Sequence, residues 1–254
     1  MQEVSTAQQN SGVQSVARAF DLLEALAGVE SELPLAELAQ AAGLPAPTAH
    51  RLLRTMLAKG YVRQTSSRGY ALGPSLINLG LRATPPIAEL ARAPLTELEA
   101  VSEETANLAV LDGDLVAYIA QVPSRHRMRM FTEVGRRVLP HAAGVGKAIL
   151  STLPEARVRG ILARTGLPSY TATTLTDEEA ILADLRESRR RGFAVDDGEQ
   201  EVGVRCIAVP IPGLSQPAAI SISGPAARVT DAKSADLVEA LRRAADRLAA
   251  SVGA

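Results

Sequence analysis

The sequence predicts an α+β protein with two domains. Its first part shows helical spacing of apolar residues and one short hairpin, whereas its second part mixes helices and strands irregularly. The run Thr84-Pro85-Pro86 separates the two parts, because consecutive prolines interrupt a helix. The expected boundaries are a disordered polar tail over 1–12, a first domain over 13–73, a linker helix over 74–85 and a second domain over 86–254.

Composition narrows the possible functions. The 254 residues are 46% apolar, enough for a core in each domain, and the net charge is −1, so a nucleic-acid contact needs a local basic patch. Cys206 is the only cysteine, which excludes an intrachain disulfide. The polar N-terminus is unlike a signal peptide, and no apolar run approaches the ~18 residues of a membrane span. We therefore expect a cytoplasmic protein without a membrane partner.

Three helices and a hairpin follow one another in the first domain. The spacing of Val16, Phe20, Leu23 and Leu26 predicts the first helix. LPLAELAQAAG predicts a second helix, with Gly43 just past its end. The stretch APTAHRLLRTMLAKG predicts a third, because proline is tolerated in a first turn. YVRQ and GYAL flank the polar TSSRG as a hairpin, and this order of elements is a winged helix-turn-helix.

The third predicted helix has two unlike sides. Its apolar residues fall together on one side: Ala49, Leu52, Leu53, Met56 and Leu57. Its opposite side is small and basic: Pro47, Thr48, Arg51, Arg54, Thr55 and Ala58. Between Glu37 and Glu89 the sequence contains no Asp or Glu at all. Positive charge without acidic neighbours favours contact with a phosphate backbone.

We therefore expect this domain to bind double-stranded DNA. The expected contact residues lie on the first helix, the third helix and the hairpin tip: Ser15, Arg18, Pro47, Thr48, His50, Arg51, Arg54, Ser67 and Arg68. Two alternatives stay open, since outward arginines are often only solvated and some winged helices bind protein.

The second domain is predicted to be α+β. Its expected elements are, in order, a helix over 87–106 that Pro94 kinks or splits, a hairpin over 108–122 turning at Asp112-Gly113, a strand over 128–134, helices over 143–153, 155–165 and 176–192, strands over 205–211 and 217–225, and a closing helix over 233–251.

Two features of the second domain favour a small ligand. In AISIS, Ser221 and Ser223 alternate with Ile220 and Ile222, so both hydroxyls share one face of a strand. Paired hydroxyls suit a pocket that orients a polar ligand, although a solvated sheet face would also explain them. The run Ala143-Gly144-Val145-Gly146 precedes a helix, and the N–H groups of a helix start bind carboxylates.

Rival chemistries fit the sequence less well. Gly144-Val145-Gly146-Lys147 is not a phosphate loop, because His141 occupies a required glycine position and Ala148 replaces the Ser or Thr that holds Mg²⁺. Lys147 is then expected at the surface or as a helix cap. The three histidines have no metal-ligand spacing, so we expect neither a metal nor another cofactor.

A cysteine nucleophile is the remaining rival. Cys206, His141 and Asp196 are the residue types of such a site. However, RCIAVPI predicts a buried strand, and a buried cysteine is usually an inert small hydrophobe. We expect no catalytic residues, and a Cys206-dependent enzyme stays as the alternative from a different functional class.

Longer motifs resemble one protein family. VQSVARAFDLLEAL, LPLAELAQAAGLPAPTAHRLLRTMLAKGYV and GYALGPSLINLG resemble the N-terminal half of IclR-type bacterial transcription regulators. VGRRVLPHAAGVGKAIL, RRRGFAVDDGEQEVGVRCIAVPI and AAISISGPAARVT resemble the second half, so the resemblance covers Val13 to Val252. The family's usual order of proline, apolar residue and histidine is altered at Leu139-Pro140-His141, which leaves the pocket wall near 138–140 undefined.

The resemblance implies a dimeric or tetrameric DNA-binding regulator with a GAF-like effector-binding domain. The effector residues that it implies are Ala143, Gly144, Val145, Asp196, Cys206, Ser221 and Ser223. The expected function is a repressor of a catabolic operon, controlled by a small carboxylate such as glyoxylate. An activator that responds to an aromatic acid is the alternative, disfavoured by the 3% aromatic content.

Overall fold

The computed structural model describes residues 12–129 and 133–252. It divides into two compact units, and the boundary lies between Ala83 and Thr84. The helix that the sequence predicts as a linker is grouped with the N-terminal unit. The predicted polar tail lies outside the described residues, except for Gly12.

The N-terminal unit is a winged helix-turn-helix. Its elements are α1 (Gln14–Ala27), α2 (Leu35–Ala41), α3 (Ala46–Ala58), β1 (Val62–Gln64), β2 (Tyr70–Leu72) and α4 (Ser75–Ala83). Strands β1 and β2 pair antiparallel as the wing, and Leu33 forms one further bridge to Tyr70. The core of this unit joins α1, α2 and α3 to the wing. Its buried residues are Leu22, Leu26, Leu38, Ala39, Ala49, Leu53, Met56, Val62 and Tyr70.

The predicted helix α1 is present, but only part of its apolar spacing is buried. Leu26 is buried and Leu23 half-buried, but Val16 and Phe20 are 51% and 58% exposed. Leu22, which the spacing does not include, is fully buried. Helix α1 therefore joins the core through its C-terminal half, and its first turns present apolar side chains to solvent.

The C-terminal unit is α+β. Its elements are α5 (Pro86–Leu90), α6 (Arg92–Ser102), β3 (Thr105–Asp112), β4 (Leu115–Val122), β5 (Arg137–Val138), α7 (Gly144–Thr152), α8 (Glu155–Thr165), α9 (Glu178–Arg191), β6 (Ala194–Asp197), β7 (Val204–Ile211), β8 (Ala218–Pro225) and α10 (Asp231–Val252). The strands form one antiparallel sheet in the order β5-β4-β3-β8-β7-β6.

Three predicted elements of this unit differ from the structure. The helix over 87–106 is split at Ala91 and ends at Ser102, since Thr105 already pairs in β3. The hairpin turns at Gly113-Asp114, one residue later than predicted, with Gly113 at φ +64°. The strand over 128–134 is wrong for its described residues, which are not extended in a sheet, and 130–132 lie outside the described residues.

The alternation of strand side chains gives the sheet two different faces. One face packs on α6 and α10 through apolar residues, among them Leu108, Ile207, Ile220, Ile222 and Leu241. The opposite face includes Ala109, Cys206 and Ala219 and packs on α7, with α9 against β6 and α8 against α9. The serines predicted for a ligand belong to this second face, because each alternates with an isoleucine of the first.

Candidate functional site

The outer side of α3 is a solvent-exposed basic surface. The helix starts after Pro45 with a second proline in its first turn, so its start is rigid. The residues expected to contact DNA lie on the exposed side, with Pro47, His50, Arg51 and Arg54 exposed and Thr48 half-buried. On α1, Ser15 is exposed and Arg18 is half-buried. The described geometry therefore leaves these groups available to a partner.

The wing carries one exposed arginine at a tight turn. Arg68 has a positive φ of +66°, and its backbone N–H donates to the carbonyl of Thr65 at 3.0 Å. The N–H of Thr65 in turn donates to the carbonyl of Gly69 at 2.9 Å. These bonds fix the turn and place the Arg68 side chain at its exposed tip.

Ser67, also expected to contact DNA, is engaged within the protein. Its hydroxyl donates a hydrogen bond to the carboxylate of Glu32, which lies over Gly69. The hydroxyls of Ser67 and Thr65 lower the pKa of Glu32, so this acid stays ionised. A negative charge thus lies beside the wing, although the wing's own sequence segment contains none.

Strand pairing assembles the residues expected to bind the effector. Asp196 on β6 pairs with Cys206 on β7, and Cys206 pairs with Ser223 on β8. Ser221 lies on the same face of β8, two residues before Ser223. All four side chains are buried. Three strands therefore bring into one row residues that are far apart in the sequence.

Asn107 completes this row and was missed by sequence reasoning. It lies on β3 opposite Ser221, and its Nδ2 donates to Oγ of Ser221 and of Ser223, each at 3.4 Å. Its Oδ1 accepts a hydrogen bond from Nε2 of Gln121 at 2.9 Å. The only signal in the sequence is a polar residue inside an otherwise apolar strand.

The start of α7 lies directly on this polar row. Gly144 is the first helical residue, and a Cβ at that position would stand 2.7 Å from Sγ of Cys206. A Cβ at Gly146 would stand 2.3 Å from the carbonyl oxygen of Pro140. Glycine is required at both positions by these close approaches. Ala143 and Val145 are buried beside them, so the helix start is sealed against the sheet.

Burial makes Asp196 a weak acid. Its Oδ1 accepts hydrogen bonds from the backbone N–H of Glu199 at 2.7 Å and of Gln200 at 3.3 Å. These bonds favour the carboxylate, but desolvation outweighs them and raises the pKa of Asp196 to about 7. The carboxyl group can therefore gain or lose a proton near neutral pH.

The thiol of Cys206 lacks the properties of a nucleophile. Burial, with the neighbouring Asp196 carboxylate, raises the pKa of Cys206 to about 11, so the thiol is neutral at pH 7. The ring of His141 is bound elsewhere, with Nε2 3.0 Å from the carbonyl oxygen of Pro168, and burial lowers its pKa. This geometry gives no support to the cysteine-enzyme alternative.

The prediction that Lys147 is a surface or cap residue is wrong. It is 2% exposed, and its Nζ lies 2.9 Å from Oδ2 of Asp184 and 2.6 Å from Oε1 of Glu199. Helix α7 is enclosed between the sheet and α9, and the sequence spacing of Lys147 does not reveal this. A buried ammonium is tolerated here because two carboxylates pair with it.

Two further kinds of site are absent from the described residues. Within 12–129 and 133–252, no group of three or more His, Cys, Asp and Glu side chains is placed to hold a metal ion. Over the same residues, no helix combines the length and the apolar character required to cross a bilayer.

The chain matches known proteins over nearly its whole length. Two family models match, the IclR helix-turn-helix domain over residues 15–66 and the bacterial transcriptional regulator IclR C-terminal domain over residues 83–250. The transcriptional repressor IclR of Escherichia coli (strain K12) is 42% identical over 235 residues, which cover 90% of this chain and 86% of that protein.

Two crystal structures show the same architecture. The IclR of Thermotoga maritima superposes with a TM-score of 0.79 at 27% identity, covering 94% of this chain and 99% of that one. An IclR homolog from Microbacterium hydrocarbonoxydans, complexed with 4-hydroxybenzoate, superposes with a TM-score of 0.76 at 26% identity, covering 93% and 98%. This chain therefore belongs to the IclR family of bacterial transcriptional regulators, and it is a DNA-binding regulator of transcription.

Proposed function

We propose that α3 is the recognition helix and lies in the major groove of an operator. Arg51 and Arg54 contact bases or phosphates, while Pro47, Thr48 and His50 lie against base edges at the helix start. Ser15 and Arg18 contact the phosphate backbone, and Arg68 contacts it from the wing. The observation that carries this proposal is the exposed, acid-free outer side of α3.

We assign Ser67 a different task. Its hydroxyl is held by Glu32, so it supports the shape of the wing instead of contacting phosphate.

The DNA-binding unit acts as a homodimer, or as a tetramer built from two dimers. Its surface carries apolar residues on α1 and α4: Val16, Phe20, Ile77, Leu79 and Leu81. Ile77 and Leu81 are 65% and 73% exposed, and α4 has no buried residue within the chain. Exposed apolar residues on two helices of one small unit favour coverage by a second copy. Two recognition helices would then read two half-sites.

The polar row of the second unit is the effector site. Asp196, Cys206, Ser221 and Ser223 face the start of α7, where Ala143, Gly144 and Val145 supply backbone N–H groups. Hydroxyls and a helix start are donors for an anion, so the preferred effector is a small carboxylate such as glyoxylate. The 4-hydroxybenzoate bound to the Microbacterium homolog makes an aromatic acid the second candidate.

The sign of regulation is repression, of an operon for a catabolic pathway. The name of the E. coli relative supports this, since that protein is called a transcriptional repressor. An activator stays the alternative. Effector binding shifts the population between arrangements with different operator affinity, which is how a ligand in one unit changes binding in the other.

The test uses operator fragments enriched from genomic DNA by the purified protein. We expect operator affinity to fall steeply with salt, and R51A to reduce the slope of log K against log salt by about 1. R157A, an exposed arginine of the second unit, is the matched control and should leave the slope unchanged. Equal slopes for R51A and the unmutated protein would show that Arg51 does not contact the DNA. Unchanged operator affinity with glyoxylate or 4-hydroxybenzoate at fixed salt would reject both candidate effectors.

A further inference from the structure

A buried ion cluster lies behind the candidate effector site. It consists of Lys147 on α7, Asp184 on α9 and Glu199 in the turn after β6. The ammonium group reaches both carboxylates, at 2.9 and 2.6 Å, and therefore ties together three segments distant in sequence. Replacing such a cluster by apolar side chains of similar volume often stabilises a protein. Stability alone therefore gives little reason for a lysine at this position.

Glu199 connects this cluster to the effector site. Its side chain binds Lys147, while its backbone N–H donates to Oδ1 of Asp196 at 2.7 Å. Two threonine hydroxyls hold the same turn from the other side, since Thr171 donates to the carbonyl of Gly198 and Thr174 to that of Glu199, each at 2.6 Å. The ion pair of Lys147 with Glu199 therefore joins this turn to α7.

The ammonium group of Lys147 is fully occupied by the two carboxylates of this cluster. One ammonium faces two carboxylates, and among the residues that the structure describes none forms a hydrogen bond with the buried Oε2 of Glu199. Desolvation raises the pKa of Glu199 even with Lys147 beside it. Lys147 also lowers the pKa of Asp196, although burial dominates that group. Lys147 thus acts on Asp196 in two ways: directly through its charge, and indirectly through the turn that its ion pair with Glu199 holds.

We propose that Lys147 is a positioning residue of the effector site. Its ion pairs hold the turn 198–200, and through it the carboxyl group of Asp196, against the start of α7. This inference rests on the proposed effector role of the Asp196 row. Preorganised binding groups need such support from a surrounding set of contacts. Loss of Lys147 should therefore loosen the turn and weaken effector binding, without any loss of a direct effector contact.

The first test needs no effector. Native-state hydrogen exchange reports whether the amides of Glu199 and Gln200 keep their bonds to Asp196, and labelling of Cys206 reports access beneath α7. In K147M, both amides should exchange roughly tenfold faster than in the unmutated protein, and Cys206 should be labelled faster. K147R, which keeps the cation, should restore slow exchange. R159M is the matched control, because Arg159 also binds several carboxylates but lies on α8, away from the turn.

A triple variant distinguishes the loss of positioning by Lys147 from repulsion between the two carboxylates that its removal leaves unpaired. K147M leaves two carboxylates without their cation, so it could loosen the turn through repulsion alone. In K147M/D184N/E199Q that repulsion is gone. The proposal expects this triple variant to regain stability towards urea but to keep fast exchange at 199 and 200 and about tenfold weaker binding of glyoxylate. Exchange and binding at unmutated levels in the triple variant would overturn it, as would slow exchange in K147M.

The two proposals fail in different ways. If glyoxylate and 4-hydroxybenzoate do not bind the unmutated protein, those effector assignments fail, whereas the exchange result still decides whether Lys147 positions the turn. If an effector binds equally well to K147M and the unmutated protein, Lys147 is not a positioning residue, although the effector site stands. Because the charge of Lys147 lowers the pKa of Asp196, K147M should raise the pH midpoint of effector binding, and K147R should restore it.

Discussion

The backbone of Gly144 lies against Cys206 so closely that a Cβ at position 144 would stand 2.7 Å from Sγ and 3.2 Å from Cβ of Cys206. G144A should therefore push the start of α7 away from the sheet. Overpacking of this kind lowers the free energy of unfolding by about 1–3 kcal/mol, measurable by urea denaturation. G144A/C206A should recover part of the loss, because the sulfur is removed.

G160A is the control for the glycine substitution itself. Gly160 is also helical, but its Cβ would meet only the end of the Arg164 side chain. The G160A variant should be as stable as the unmutated protein or slightly more stable, since alanine has a higher helix propensity than glycine. A G144A protein as stable as G160A would show that α7 does not press on Cys206.

Asn107 should be as important to the effector site as the serines that it joins. N107A removes the donor to Ser221 and Ser223 and leaves Gln121 without its acceptor. Buried polar groups without partners cost about 1–3 kcal/mol, so the free energy of unfolding should fall by that order. The triple variant N107A/S221A/S223A should regain stability but still bind glyoxylate poorly. Full binding by either variant would exclude Asn107 from the site.

Asp196 should make stability fall as pH rises towards neutrality. Its pKa is raised from 3.8 to about 7, so between these values the folded protein keeps a proton that the unfolded chain releases. The stabilisation is complete below about pH 4 and is lost as pH rises through about 7.

The variant D196N keeps an acceptor for the amides of Glu199 and Gln200 but cannot titrate. Its stability relative to the unmutated protein should therefore rise from pH 5 to pH 8, by about 3 kcal/mol at most. Urea denaturation at both pH values measures the difference. A constant difference between the two proteins would show that Asp196 does not titrate in this range.

Glu32 should weaken DNA binding through its charge. E32Q keeps an acceptor for the Ser67 hydroxyl but removes the negative charge beside the wing. Operator affinity at low salt should rise roughly two- to threefold, and the gain should shrink as salt screens the charge. Fluorescence anisotropy across a salt series measures both effects. E37Q, which changes an acid on α2, is the control. Equal gains in operator affinity for E32Q and E37Q would show that the effect comes from net charge and not from the position of Glu32.

The exposed side of α4 should be required for assembly. I77E/L81E changes residues that are exposed in the single chain, so the N-terminal unit should still fold. Charges in a dimer interface should separate the subunits, and operator affinity should then fall by about tenfold or more, because the second half-site no longer adds to binding. Analytical ultracentrifugation measures the assembly. V101E, another exposed apolar position, serves as control; dimers that persist in I77E/L81E would place the interface elsewhere.

The order of elements could be predicted from local sequence, but several side-chain environments could not. Period-two alternation correctly placed Ser221 and Ser223 on one face, since that pattern depends only on the strand itself. The sequence predicts Lys147 at the surface or as a helix cap, since its actual partners, Asp184 and Glu199, lie far along the chain. Asn107 was missed for the same reason: its role depends on the register of β3 against β8.

Apolar spacing had a similar limit on α1. Val16 and Phe20 fit the helical pattern of a core face but lie exposed, because the pattern shows that a side is apolar and not what covers it. The wing gives the opposite case. A count of acids along the sequence could not detect Glu32, which folding brings next to Ser67.

The two faces of the sheet differ in what they do: one packs on α10 through apolar side chains, and the other carries the polar row. Thr105, Asn107, Ser221 and Ser223 alternate along β3 and β8 with residues such as Ile220 and Ile222 that hold α10 in place. Substitutions at the polar positions leave the face that packs on α10 unchanged, although they alter the hydrogen bonds within the row itself. On our proposal that this row binds the effector, a change of ligand specificity requires substitutions in a single row of side chains, while the face that packs on α10 is kept.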